Sequence, residues 1–400
     1  DGFRPACQLR GGRVTFDTIR PDRLKMAIPA PAGGDERGLR GCGCPLPLFK
    51  LDHVSKDSRL KLNTGVLADK PPEENSIMSQ RPTTFSAGSI FFVTMVAIVV
   101  IGVITTPANS VQSGRTAAAN AFSGERALAY TADVVAFGPR VSGSDAIEQT
   151  RQYIEATLQG FGYSVMRDEF TATTPLGSVQ MANLVVVVPA ADGAPDGPAI
   201  LLAGHYDTKY FEQFEFVGAN DAGSSTGILL EIGRVLSENK PSWPVWLVFL
   251  DGEEAFVEWN DTDGRYGSKY MAQRMQAAGE LDQIGAMILF DMIGDADLSF
   301  PKDGNSTGWL NDIVWQTAAN IGHDDVFNDD FSHFMEDDHL PFIKRGVAAI
   351  DLIDFNYGPG HRNWHSPFDT IDKLGPVGFQ AVGETALSAL PAIGERILKR

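Results

Sequence analysis

From residue 199 onwards, short runs of β-branched or aliphatic residues alternate with stretches of helical spacing, and this alternation limits the fold more than any other feature. The spacing predicts strands at 199–203, 245–250, 286–291 and 347–353, with helices at about 222–238, 266–277, 309–321 and 376–398. Ahead of these, 124–137 and 146–160 read as helices, the second stopped by Gly160-Phe161-Gly162. Strands are predicted at 165–170 and 181–188, and 185–188 is apolar on both faces, as in a buried central strand. Strands alternating with helices imply a three-layer α/β domain, with a mixed, mostly parallel central sheet and helices on both faces. No internal repeat interrupts the pattern.

The side chains that carry chemistry sit where these strands end. His205 and Asp207 follow LLAG, Glu253 and Glu254 follow LVFLDG, Asp291 closes MILFD, and the loop bearing His365 follows AAIDLI. Asp221 lies in GANDAGSS, just before a helix. In open α/β sheets the carboxyl edge is where neighbouring connections diverge and leave a crevice, so residues far apart in sequence can converge there. A borderline cation such as zinc needs about three protein ligands and an open position to be catalytic. These residues supply that set with a carboxylate to spare.

Each has a plainer reading. Asp221 follows a Gly-Ala-Asn turn and suits a helix cap as well as a metal. Glu253 and Glu254 are adjacent, so their side chains point apart, one toward an ion and the other toward a substrate as proton carrier. A solvated acidic turn is the alternative there, and the apolar strand just before it argues against that. His365 stands beside Trp364, where a packed histidine is common; His361 is four residues earlier, but Pro359-Gly360 makes a helix between them doubtful. His205 and Asp207 fall on one side of a strand end, suited to ligation or to bracing a ligand. Asp337 and Asp338 precede LPFIKRG and suit a helix cap, or acids with raised pKa beside a cleft.

Charge excludes one class of partner. Residues 88–400 hold 19 basic against 41 acidic side chains, an excess of 22 negative charges, and a nucleic-acid backbone demands the opposite sign. Cys7, Cys42 and Cys44 all precede residue 45, so thiol catalysis and disulfides are excluded from the region that carries the chemistry, and Cys42-Gly-Cys44 lacks the second pair of a metal site. No charge occurs between Arg81 and Arg115, and 87–106 is apolar for about a bilayer's thickness. Residues 78–108 therefore read as a cleaved signal peptide or an uncleaved anchor, ending in Thr106-Pro107-Ala108, and the membrane is met through 87–106 alone. The acidic part is expected outside the cytoplasm: periplasmic or extracellular, secreted or membrane-anchored. Residues 1–77 lack any sustained period and read as a tail, with Met78 the expected start of translation. A linker is expected at 109–120 and the catalytic domain at 121–400.

Taken together, HYDTKYF, LVFLDGEEAFVEW followed by YGSKYMA, LFDMIGD, EDDHLPFIKRGV and NWHSPFDT resemble the zinc-type glutaminyl-peptide cyclotransferases (glutaminyl cyclases), acyltransferases whose fold is shared with the co-catalytic zinc aminopeptidases. The likeness covers about 120–400. It implies one zinc per chain held by Asp221, Glu254 and His365, with Glu253 as general acid/base. It further implies that Asp291 and Asp337 belong to the proton-relay and substrate-orienting acids, and that Trp364 forms an aromatic wall of the substrate pocket. The implied reaction turns an N-terminal glutaminyl residue of a peptide into pyroglutamyl with loss of ammonia. Departures from the animal enzymes are Glu336 in place of Gln, Asp351 in place of His, and the absence of a cysteine pair near His205. The alternative is a di-zinc aminopeptidase, in which His205 and Asp291 hold a second ion bridged by Asp221, with Asp207 beside them.

Overall fold

A computed structural model describes residues 114–194 and 197–399, for 329–333 the backbone only. The tail 1–77, the segment 78–108 and the three cysteines lie outside the described residues. Among the described residues no helix is long and apolar enough to cross a membrane.

Helices α1 (Ala117–Ala121), α2 (Gly124–Val135) and α3 (Asp145–Gly160) lead into the hairpin β1 (Val165–Thr174) and β2 (Gly177–Val188). Then follow β3 (Ala199–His205), α4 (Ser225–Glu238), β4 (Val245–Leu250), α5 (Tyr266–Ala278), β5 (Ile284–Asp291), β6 (Phe300–Asp303), α6 (Gly308–Ile321), β7 (Phe327–His333), α7 (Leu340–Ile343), β8 (Ala348–Ile353) and α8 (Pro376–Leu398). Six strands form one sheet in the order β1-β2-β4-β3-β5-β8. The pairs β1–β2 and β2–β4 are antiparallel, while β4–β3, β3–β5 and β5–β8 are parallel. This is the mixed, three-layer architecture that the alternation implies.

The parallel strands are apolar on both faces because each face has its own core. Ile200, Leu202, Leu247, Phe249, Ile288 and Phe290 pack into the larger cluster with α2, α4 and α8. Leu201, Ala203, Val248, Leu250, Met287 and Leu289 pack into the smaller one with α5 and α7. The period of two thus divides each strand between two layers, and every large aliphatic side chain buried this way contributes roughly 1.5–3 kcal/mol.

The chain runs from β3 through α4 to β4, then returns through α5 across β3 to reach β5. That reversal opens the crevice at the carboxyl ends of β3 and β5. Gly204 permits close approach there: a Cβ on it would lie 2.6 Å from Ser225 Cβ and 2.9 Å from the carbonyl oxygen of Phe290.

Two features differ from the expected plan. Part of the expected linker is folded, since α1 caps itself through Thr116 and Arg115 pairs with Glu384 of α8 at 3.0 Å. A second, two-stranded sheet, β6–β7, was not foreseen, because β6 has only 4 residues and β7 reads FNDDFSH with no apolar alternation.

Candidate metal centre and active site

Four loops at the carboxyl edge deliver the acids and imidazoles to one place. Asp221 sits in a wide helical turn, Ala219–Ser224, ahead of α4. It is not a cap: the residue entering α4 is Ser224, and the Asp221 carboxylate instead lies between two imidazoles. Its Oδ1 is 3.2 Å from His205 Nε2 and its Oδ2 is 3.3 Å from His365 Nε2. His365 Nε2 is also 3.0 Å from Glu254 Oε1. Ligand atoms of Asp221, Glu254 and His365 all lie within 4.8 Å of one another. A second group, His205, Asp221 and Asp291, meets the same limit, with His205 Nε2 at 3.4 Å from Asp291 Oδ1.

Asp207 and His361 resolve differently. Asp207 is a brace: its two oxygens accept the backbone N–H groups of Glu253 at 3.1 Å and Glu254 at 3.2 Å, fixing the doublet at the end of β4. His361 is exposed, with Nδ1 2.5 Å from the Phe355 carbonyl, and it pairs with no acid of the centre. Asp337 and Asp338 do not cap α7, whose entering residue is His339. Asp338 accepts the hydroxyl of Ser268, and Asp337 lines the central cavity.

That cavity measures about 500 Å³ and brings together Asp221, Glu253, Glu254, Asp291, Asp337 and His365 with an apolar wall of Trp259, Phe334, Phe355 and Trp364. Trp364 stacks on His365, the ring centroids 4.0 Å apart. His365 (φ 48°) and Met292 (φ 46°), which follows Asp291, adopt left-handed backbone that non-glycine residues seldom take. Such conformations persist where surrounding structure imposes them, commonly at functional sites.

Electrostatics divide the acids. Burial raises the Asp221 carboxyl, but hydrogen bonds from His205 and His365 outweigh it and hold it well below the usual carboxylate range. For His365, burial disfavours the charged ring, and the charges of Glu254 and Asp221 overcome this and raise it to about 10. Glu253 is pushed well above its ordinary value, chiefly by burial, with the charges of Asp337, Glu254 and Asp338 adding and His205 opposing. Burial likewise raises Asp291, and raises Asp337 to about 7. An ionised aspartate, a glutamate and an imidazole that converge on one point are the donor set that zinc takes at a catalytic site.

Several residues that build the site are not singled out by the sequence reading. Asp369 accepts the N–H groups of Asn220 at 2.8 Å and Asp221 at 3.2 Å, and the hydroxyl of Tyr357 at 2.7 Å, so it sets the Asp221 turn. Lys209 donates to the Ala255 carbonyl at 3.0 Å and lies 3.6 Å from Glu254 Oε2. Asp263 accepts three N–H groups, from Phe256, Val257 and Glu258, each at 2.9 Å, and shapes the loop that bears Trp259. Arg140 is wholly buried and donates to the carbonyls of Tyr206, Gly138, Val217 and Gly218, tying the strand-end loop to the turn before Asp221. Arg140→Met takes four buried side-chain hydrogen bonds from those carbonyls and is expected to destabilise the fold by about 3 kcal/mol or more, read as a lower urea midpoint.

Residues 183–390 match the family model described as Peptidase family M28. The glutaminyl-peptide cyclotransferase of Drosophila melanogaster is 30% identical over 262 residues, 59% of this chain and 72% of that protein. Among solved structures, the glutaminyl cyclase of an Acidobacteriales bacterium superposes with a TM-score of 0.65 at 38% identity, covering 69% of this chain and 96% of that one. A Zn-dependent exopeptidase from Parabacteroides distasonis superposes with a TM-score of 0.60 at 25% identity, covering 69% and 99%. The chain therefore belongs to peptidase family M28, and within that family to the glutaminyl-peptide cyclotransferases.

Proposed function

We propose that this chain cyclises the N-terminal glutaminyl residue of peptides to pyroglutamyl and releases ammonia. The observation that carries this reading is the pairing, in one cavity, of the three-ligand cluster with Glu253, an acid that the cluster leaves free to move a proton. A single zinc bound by Asp221, Glu254 and His365 would supply Lewis-acid polarisation of the γ-carbonyl oxygen. The chain's own residues do the rest. The aromatic wall of Trp259 and Trp364 confines the glutaminyl side chain so that the α-amine stands against its own γ-amide carbon, which removes most of the entropic barrier. Glu253, as carboxylate, takes one proton from the attacking amine and returns it to the departing nitrogen, which leaves as ammonia. A bound cation favours the ionised form of Glu253, offsetting the burial that raises it. Asp291 and Asp337 orient the substrate amine and the relayed proton.

The attacking amine must be neutral, and a free α-amino group titrates near about 7.7–8.0. The group loses its nucleophile as pH falls, so kcat/KM for a glutaminyl dipeptide is expected to drop about tenfold per pH unit below about 7. A flat profile from pH 5 to 8 would contradict attack by the free amine.

A second reading, a di-zinc aminopeptidase, rests on the group His205, Asp221 and Asp291. The relatives named as cyclotransferases weigh against it. Ammonia release from a glutaminyl dipeptide, abolished by chelator and restored by one equivalent of zinc, supports cyclisation; two zincs with hydrolysis of a leucyl anilide would support the peptidase. We further propose that the domain works outside the cytoplasm, on the strength of the apolar stretch 87–106 and the acidic balance after it. Sequencing the amino terminus of the native protein tests this and tells cleavage from retention.

A further inference from the structure

The loop after Glu254 carries Trp259 to the cavity and returns to the scaffold at Arg265, where two departures from ordinary structure meet. Arg265 enters α5 with φ 54°, left-handed backbone that a non-glycine residue seldom takes. Its side chain is only 1% exposed, yet Nε and Nη2 are buried with no hydrogen-bond acceptor. A guanidinium out of water normally uses those donors.

Charge pairing does not account for the burial. Nη1 stands 3.5 Å from Glu336 Oε2 and Nη2 3.7 Å from Asp261 Oδ1, and both carboxylates belong to exposed residues, where such pairs contribute little. The neighbour that fits is an aromatic face: Cζ of Arg265 lies 5.0 Å from the centroid of the Trp259 ring. A guanidinium stacks on such a face without using its N–H groups, and the ring quadrupole favours the cation. Gly264 lets the ring come close, since a Cβ there would lie 3.0 Å from Cε3 of Trp259. The backbone N–H of Arg265 meanwhile donates to the carbonyl of Glu253 at 2.6 Å.

Trp259, Glu253 and Glu336 line the cavity, whereas Arg265 does not. We propose that Arg265 is the positioning residue for Trp259: its guanidinium is the platform that holds the indole in place as a wall of the pocket. The backbone tether keeps that wall in register with Glu253. Left-handed backbone at 265 follows from the double duty, because one residue must reach the Glu253 peptide with its N–H and the indole with its side chain. The assignment rests on the cyclase reading only for the identity of the substrate.

The test is a pair of double-mutant cycles in the full, zinc-loaded chain. With a glutaminyl dipeptide, Arg265→Met, which fills the space without charge, is expected to raise KM about 5–30-fold, with kcat and zinc content little changed. Arg265→Lys, which keeps a cation near the ring, is expected to fall between Met and wild type. In a Trp259→Leu background, whose KM is already raised, Arg265→Met is expected to add less than about twofold. A guanidinium that merely propped the fold would raise KM alike in both backgrounds. Should Arg265→Met not fold, Arg265→Lys takes its place in the cycle, and its smaller rise in KM must vanish in the same way. Without substrate, Trp259→Leu is expected to lower the urea midpoint of the wild type and to leave that of Arg265→Met unchanged. Three results overturn the proposal: an Arg265→Met chain with unaltered KM, an equal rise in the Trp259→Leu background, or a Lys variant no better than Met. If the wild type turns over no glutaminyl substrate, the cyclase reading fails and the urea cycle alone decides the platform, coupled midpoints supporting it and additive ones overturning it.

Discussion

Glu253→Gln is expected to remove turnover while leaving the metal in place. Glu253 lines the cavity but is not one of the three residues whose ligand atoms converge, so its replacement takes nothing from the grip on an ion. The amide keeps the size and planarity of the carboxyl, and the N–H of residue 253 still meets Asp207. What it lacks is the capacity to take a proton and give it back. Proton transfer by a positioned side chain contributes typically about 10²–10⁴-fold, so kcat is expected to fall by that range with KM little changed. Full activity in a zinc-bearing Glu253→Gln variant would remove Glu253 from the reaction.

His365→Ala and Asp221→Ala are expected to lose the metal and the activity together, and the two differ in a useful way. Asp221 is central: one oxygen faces His205 and the other His365, so its loss dismantles both candidate ligand groups. His365 belongs to one group only, and its removal leaves His205, Asp221 and Asp291 intact. If the working ion sits between Asp221, Glu254 and His365, the alanine variant at 365 retains two ligands and is expected to lose zinc on dialysis, with turnover at background. A His365→Ala chain that keeps one tightly held zinc would place that ion in the other group and favour the di-zinc arrangement. Removal of an imidazole that is held between two carboxylates also leaves those charges unpaired in a buried site, which lowers stability in the absence of metal.

Much of the fold was legible because its strands are long, apolar on both faces and separated by helices with clear starts and stops. The final helix, α8, and the strand β4 fall within the residues that the spacing predicts. Polar, short elements were not legible: β6 and β7 owe their pairing to position rather than to pattern. Of the site, the convergence of the acids and imidazoles was readable from their place after strands, and of the adjacent glutamates Glu254 joins a candidate ligand group while Glu253 does not. Arg140, Asp369 and Asp263 were not readable. Each acts through hydrogen bonds to backbone groups far away in the chain or across a loop, and a lone arginine or aspartate in a turn reads the same whether it holds a carbonyl or faces water. Asp351 was readable only as a departure from the animal enzymes, and its burial in β8 was not.

The most direct measurement is anomalous X-ray diffraction at the zinc absorption edge from crystals of the metal-loaded protein. One peak is expected, about 2.0–2.2 Å from a carboxylate oxygen of Asp221, one of Glu254 and a ring nitrogen of His365, with a further position open toward the cavity. An ion held by His205 and Asp291 in its stead, or carboxylates of residues 221 and 254 that stay too far from the ring of residue 365 to bind one atom, would contradict the single-ion centre and the chemistry built on it.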